Sequence, residues 1–294
     1  MKATFVLFFF LGICLSCSQV IEIDRPFENP KIIVNALFTP DSTWQVYITK
    51  SRDILDNSLS SYFEPVNDAI VSIHDENNFV IETLSYSSDK WFRFRYAGNT
   101  VPEAGRTYLI NVQLYNQQNL QAINHVPIPT PISSVVVDSS RFKANGENIE
   151  MNIGFKDPEG FKNYYCIKIL RDAYYLQNED TIRFVEDVHF EPIDPVFNND
   201  YAAGLTTLFN DNLFDGMNFE FRLKLSPFFN FGTTEGLRAA LLTVSEDYYQ
   251  YFTTKNLQNN KREDPFAQPT QVFSNIKNGI GIFAGFSRSE VKLE

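Results

Sequence analysis

The sequence predicts a mostly β protein, with two immunoglobulin-like or β-sandwich domains and one amphipathic helix in the second. Three observations carry that reading. Short segments alternate apolar and polar side chains with period 2, the pattern of half-buried strands. Asn, Asp, Gly and Pro interrupt them where turns need those residues. A single segment near the C-terminus changes to the 3.6-residue period of a helix.

The N-terminus comes first. Lys2 precedes an apolar run from Phe5 to Leu15, and Ser16 and Cys17 follow at once. The run is shorter than the roughly 20 apolar residues a membrane span needs. Residues 1–16 therefore read as a signal peptide. Cys17 at its boundary looks like the lipid-modified cysteine of a bacterial lipoprotein. Cys14 stands where such signals commonly carry Leu, so an ordinary secreted protein and an uncleaved anchor remain as alternatives. Residues 17–30 are polar, contain Glu22, Asp24 and Arg25, and read as a lipidated tether.

Residues 31–126 form the expected N-terminal sandwich. Lys31 to Phe38 is nearly continuous in apolar residues and predicts a strand buried on both faces. Trp44, Val46 and Ile48 alternate with Gln45, Tyr47 and Thr49. Ala69–His74 and Phe79–Leu84 predict a hairpin turned by Asp75 to Asn78, and Trp91–Tyr96 another strand. Tyr108, Ile110, Val112 and Leu114 share one face of a strand that follows a Gly105 turn, an arrangement found near the end of immunoglobulin-like sandwiches.

Val126 to Pro131 reads V-P-I-P-T-P. Prolines at alternate positions cannot sit in a central strand, so this is a stiff connector and the expected domain boundary. Residues 132–294 carry a second set of strands: 134–139, 149–155, 164–170, 181–189, 218–225 and 237–244. Phe190 to Gly216 shows little strand signal. The helix is expected near 245–258. Ser245 caps it, Glu246 and Asp247 suit its positive end, and Tyr248, Tyr251 and Phe252 share the face that would lie on a sheet. Thr270–Phe273 and Gly279–Ser287 close the chain as strands.

Composition bounds the chemistry. The chain is 294 residues long, 44% hydrophobic and 15% aromatic, enough for two cores and too apolar for disorder. Its net charge of −11 argues against nucleic acid and against a basic face on anionic lipid. Attachment to a membrane would be by the N-terminal lipid. Beyond Cys17 the mature chain has only Cys166, in a strand-like run, where a small buried side chain outweighs a nucleophile. His74, His125 and His189 have no partner at metal-ligand spacing. Asp211 and Asp215, in F-N-D-N-L-F-D-G with Asp200 nearby, are calcium candidates, and a turn held by Asx hydrogen bonds is the stronger reading. Asp157-Pro158-Glu159-Gly160 is a second turn. Gly279 to Gly285 lacks nucleotide-loop spacing and suggests close backbone approach. No carboxylate pair or serine triad stands out, so no enzyme and no cofactor is expected, and a hydrolase is the least favoured reading. Phe228, Phe229 and Phe231 form an aromatic loop, either a partner contact or a buried core edge.

Several segments together resemble one family. They are Pro30–Leu37, Val66–Val71, Pro102–Tyr108, Ser245–Phe252, Asp264–Pro269 and Ser274–Phe283. Across roughly Cys17 to Ser287 the chain is similar to the Bacteroidota outer-membrane lipoproteins of the domain of unknown function 4249. The resemblance implies lipidation at Cys17 and an accessory role beside a TonB-dependent outer-membrane transporter, in nutrient capture or gating. It carries no catalytic residues. The acidic Glu22 and Asp24 match the surface-export signal of such lipoproteins only loosely, so the cell-surface and periplasmic leaflets both stay open, with the surface favoured. The alternative function is a stand-alone glycan- or protein-binding module, or an adhesin.

Overall fold

The computed structural model describes residues 30–52, 64–88, 94–115, 118–137, 149–178, 180–197, 205–225, 231–260, 268 and 270–293. The signal segment 1–16 and the tether before residue 30 lie outside them. Among the described residues seven strands come before the proline connector: β1 (Ile32–Phe38), β2 (Gln45–Lys50), β3 (Ile70–Asp75), β4 (Val80–Ser88), β5 (Phe94–Ala97), β6 (Thr107–Gln113) and β7 (Asn119–His125). Nine follow it: β8 (Ile132–Val137), β9 (Ile149–Lys156), β10 (Tyr164–Gln177), β11 (Asp180–Asp187), β12 (Phe190–Pro192), β13 (Thr206–Asn210), β14 (Asn218–Leu225), β15 (Thr233–Val244) and β16 (Ile280–Leu293). Helix α1 (Glu246–Asn260) lies between the last two. Among the described residues the chain is mostly β with one long helix, as its periodicity predicts.

Alternation decides which side chains meet. In β2 Val46 and Ile48 are buried, and in β6 Tyr108, Ile110 and Val112 are. With Val34, Phe38, Trp44 and Val71 they build the first core. The second core lies between the β9–β14 pair and the β10–β15 pair, with Met151, Phe155, Ile167, Phe221, Leu223 and Leu241 fully enclosed. A third cluster covers the opposite face of β10 and β15 with the helix. There Tyr164, Cys166, Leu242 and Val244 meet Tyr248. Strand β10 is thus apolar at consecutive positions because both of its faces are covered.

Two sheets result. One runs β11-β10-β15-β16-β1-β2-β5-β4-β3-β6-β7, with β13 paired to β10 off that path. The other is β12-β14-β9-β8. The connector is well anchored: the Thr130 amide donates to Thr243 Oγ1 at 3.0 Å, and Val126 is fully buried. It separates two cores, but it does not separate two sheets. β16 pairs in parallel with β1, from Ile33↔Ile280 to Phe38↔Gly285. Further along it pairs antiparallel with β15, from Val244↔Phe286 to Leu237↔Leu293. Phe283 belongs to the first core, while Ile282 and Ala284 belong to the third.

The turns follow their residues. Asp75 Oδ1 accepts from the amides of Asn77 (2.9 Å) and Phe79 (2.8 Å), and Asn78 takes a φ of 66° in the expected hairpin. The Tyr108 hydroxyl accepts from the Glu103 amide at 2.7 Å, a tyrosine corner at the start of β6. Ser245 caps α1, its Oγ accepting from the Tyr248 amide at 3.4 Å and its carbonyl from the Tyr249 amide at 3.1 Å.

Three local expectations need correction. β1 is buried on one face only: Val34, Ala36 and Phe38 point into the core, while Leu37 is exposed, because α1 covers its other face incompletely. Within Phe190–Gly216 lie β12, β13 and a 3-10 turn at Pro195–Phe197. Phe197, Leu208, Phe209 and Phe214 are buried there, and the short strands hold too few residues to show a period. Residues 270–273 are irregular rather than a strand.

Gly281 has a φ of 120°, and a Cβ there would sit 2.0 Å from the Val34 carbonyl oxygen. A side chain cannot fit without separating β16 from β1. Gly160 also has a positive φ, 84°, but open space around it. The expected cost in urea denaturation is about 3 kcal/mol or more for Gly281→Ala and about 1 kcal/mol for Gly160→Ala. Equal costs would mean that the close approach contributes nothing.

Candidate functional site

The β10–β11 hairpin runs beyond the core, and its burial fades toward the tip. Register pairs Ala173 with Phe184 and Tyr175 with Ile182, so these four side chains share a face. Phe231, from the segment that enters β15, lies on that face with its ring 4.7 Å from Tyr175 and 5.9 Å from Phe184. Phe231 is 58% exposed. Leu176 and Val185 are exposed on the reverse face. Of the two sequence readings for this loop, Phe231 fits the surface one. Phe228 and Phe229 lie outside the described residues.

A buried cation holds the platform in place. Arg171 is 1% exposed. Its Nε donates to Thr234 Oγ1 (2.8 Å), Nη1 to Glu186 Oε1 (2.5 Å) and to the Phe231 carbonyl (3.0 Å), and Nη2 to the Gly232 carbonyl (2.9 Å). A planar guanidinium can reach all four acceptors at once, where a lysine ammonium could not. The backbone of Phe231 is therefore fixed while its ring stays on the surface.

The two aspartate turns come together. Asp157, Asp211 and Asp215 place carboxylate oxygens within 4.8 Å of one another, the one such three-residue grouping among the described residues. Asp157 and Asp211 are buried, whereas Asp215 is exposed. The Tyr165 hydroxyl donates to Asp157 Oδ1 (2.5 Å) and the Gly216 amide to Oδ2 (2.9 Å). The Asn163 amide donates to Asp211 Oδ2 (2.6 Å), and the Gly160 amide to Asp215 Oδ1 (3.1 Å). The Asn212 amide donates to Asn210 Oδ1 at 3.2 Å. These donors occupy most of the carboxylate oxygens and tie one turn to the other across long sequence distances, and the Asn212–Asn210 bond alone is a local Asx turn. Chemically the three carboxylates could also offer their remaining oxygens to a hard cation. Asp157 was the member not legible in the sequence, because its partners lie more than fifty positions away.

Other single residues take structural places. Cys166 is buried and its thiol is pushed up to about 12 by desolvation, far from a reactive thiolate. His74 Nε2 is 2.8 Å from Ser72 Oγ, and its Nδ1 is 3.2 Å from the Asn78 carbonyl. Burial lowers the His125 pKa, opposed by the nearby Asp247 charge. Cys17 and Asp200 lie outside the described residues.

The segments that make the chain recognisable build the frame. Asp247 Oδ2 accepts from Asn124 Nδ2 (2.8 Å) and Asn275 Nδ2 (2.7 Å), joining the helix N-terminus to β7 and to the approach to β16. Asn275 also pairs with the Phe283 amide (3.0 Å) and carbonyl (2.8 Å). Asn124 Oδ1 accepts from the Gly285 amide at 3.0 Å. Tyr96 donates to the Val66 carbonyl and accepts from the Ala69 amide, both at 3.0 Å. These contacts define a β-sandwich-like protein whose distinguishing residues lock strands together. The chain belongs to the family described as domain of unknown function DUF4249, whose model matches residues 18–292. No curated protein matches the chain. Among the described residues no helix is long and apolar enough to cross a membrane.

Burial, together with the Asp157 and Asp215 charges, raises the Asp211 pKa above its ordinary 3.8. The folded protein therefore binds this proton more readily than the unfolded chain. Its stabilising contribution is complete below the ordinary value and is lost as pH rises through the folded value. Thermal melts from pH 3.5 to 7 are expected to show wild type losing stability relative to Asp211→Asn as pH rises. Parallel curves would contradict a shifted Asp211.

Proposed function

We propose that this protein is a non-enzymatic, lipid-anchored outer-membrane lipoprotein of Bacteroidota. It would serve as an accessory subunit of a TonB-dependent transporter, in nutrient capture or gating. The observation that carries the reading is an aromatic platform in which exposed Phe231 rests on half-buried Tyr175 and Phe184, on a backbone clamped by Arg171. Rigid, exposed aromatic groups suit a protein interface, because they bury large area at little cost in side-chain entropy. The Cys17 context supports the lipid anchor, and the net charge of −11 disfavours attachment through a basic face. The cell-surface leaflet is the favoured side.

Native membranes of the source cell supply the test. The wild-type chain is expected to co-purify with a barrel protein in stoichiometric amount. Phe231→Ala combined with Tyr175→Ala is expected to weaken that recovery tenfold or more while leaving the melting temperature within a few degrees. Recovery of the lipoprotein alone would favour the stand-alone glycan- or protein-binding module instead. Cys17→Ala is expected to move the protein from the membrane pellet to the soluble fraction and to abolish incorporation of labelled fatty acid. Persistent membrane pelleting without label would replace lipidation with an uncleaved anchor.

A further inference from the structure

Helix α1 leaves part of the outer face of β1 and β2 uncovered, and a partly open cavity of about 400 Å³ lies between them. Its walls include Asn35, Leu37 and Tyr47 from the strands and Tyr251, Phe252 and Lys255 from the helix. The volume falls in the range of small-molecule sites.

Two features of the lining ask for a ligand. Lys255 is exposed and makes no ion pair among the described residues, in a chain with 36 acidic and 25 basic side chains. Its Nζ sits 5.8 Å from the Tyr251 ring centroid and 5.6 Å from that of Phe252. The two rings hold the ammonium at the cavity wall by cation–π attraction. Asn35 Oδ1 is buried with no hydrogen-bond partner, an arrangement that costs free energy until a donor arrives. A half-turn of the amide exchanges its oxygen and nitrogen and presents either one to the cavity.

We propose that this cavity binds a small carboxylate with an apolar body and a hydroxyl or amine donor. The carboxylate pairs with Lys255, the body packs against Leu37 and Phe252, and the donor satisfies Asn35. An ammonium on aromatic faces beside aliphatic surface selects an anion that is apolar elsewhere over a fully hydrated one. The site is separate from the aromatic platform, and it is measured on the isolated protein. Loss of a barrel partner therefore leaves this proposal standing, and its failure leaves the docking reading standing.

The probe is 4-hydroxyphenylacetate, which carries all three groups, and its comparison is tyrosol, which lacks the carboxylate. Isothermal titration of the full-length protein in detergent is expected to give a millimolar or tighter Kd for the acid. Tyrosol is expected to bind at least tenfold more weakly, a difference of about 1.4 kcal/mol. Lys255→Met, at an exposed position, is expected to erase that difference. Leu37→Trp, at the cavity rim, is expected to weaken both ligands with an unchanged circular dichroism spectrum. No saturable binding of the acid by about 10 mM would overturn the proposal. So would equal affinity for the two probes, or undiminished binding by a folded Leu37→Trp protein.

Discussion

Strand β16 has to satisfy two partner strands and two cores at once. It lies in parallel against β1 and then antiparallel against β15, and it sends Phe283 into the first core and Ile282 into the third. The parallel approach is close enough that the backbone at Gly281 has no room for a side chain. Without this strand the sheet β1-β2-β5-β4-β3-β6-β7 would lose its join to β15 and β10. The aromatic contacts of Phe283 with Phe38, at 4.4 Å, would go with it. Burying one such ring contributes about 1.5–3 kcal/mol, a sizeable share of the net stability of a folded chain.

The surrounding polar groups serve that same strand. Asp247 gathers Asn124 and Asn275, and these two asparagines take up backbone groups of Gly285 and Phe283. A half-buried carboxylate–amide network is costly when partly satisfied and rigid when complete. Arg171 plays a similar part midway along β10, where a fully enclosed cation finds a carboxylate, a hydroxyl and two carbonyls. Removing water from a guanidinium is expensive, and full partnering is what makes its burial tolerable. The residues that are left over, on the hairpin face and in the gap beneath α1, are the ones the frame does not use.

Local signals read well from the sequence. The alternation around Val46 and Ile110, the Asp75 turn, the Ser245 cap and the Tyr108 corner all rest on contacts within a few residues, and each is where its pattern puts it. The proline connector falls between two cores, while one sheet runs through strands from both sides of it. What was not legible is pairing across distance. Nothing near Ile33 marks Ile280 as its neighbour, and nothing near Asp211 names Asp157. The apolar run of β1 suggested cover on both faces, but cover depends on where α1 lands. The short strands around Phe197 and Phe209 were missed because three to five residues cannot show a period. In the aromatic loop, composition left surface and core equally open, and Phe231 is decided only by the hairpin that supports it.

The pairing of β1 with β16 also sets an order of events. The first strand made must wait for the last one, since Ile33 has no parallel neighbour until Ile280 has been synthesised. Contacts this distant in sequence are slow to form, and a growing chain cannot form them at all. Until its end emerges, the first core therefore stays open along one side of β1. The seam between the two halves of the sheet is therefore closed late, when the fourteen-residue β16 docks on β1.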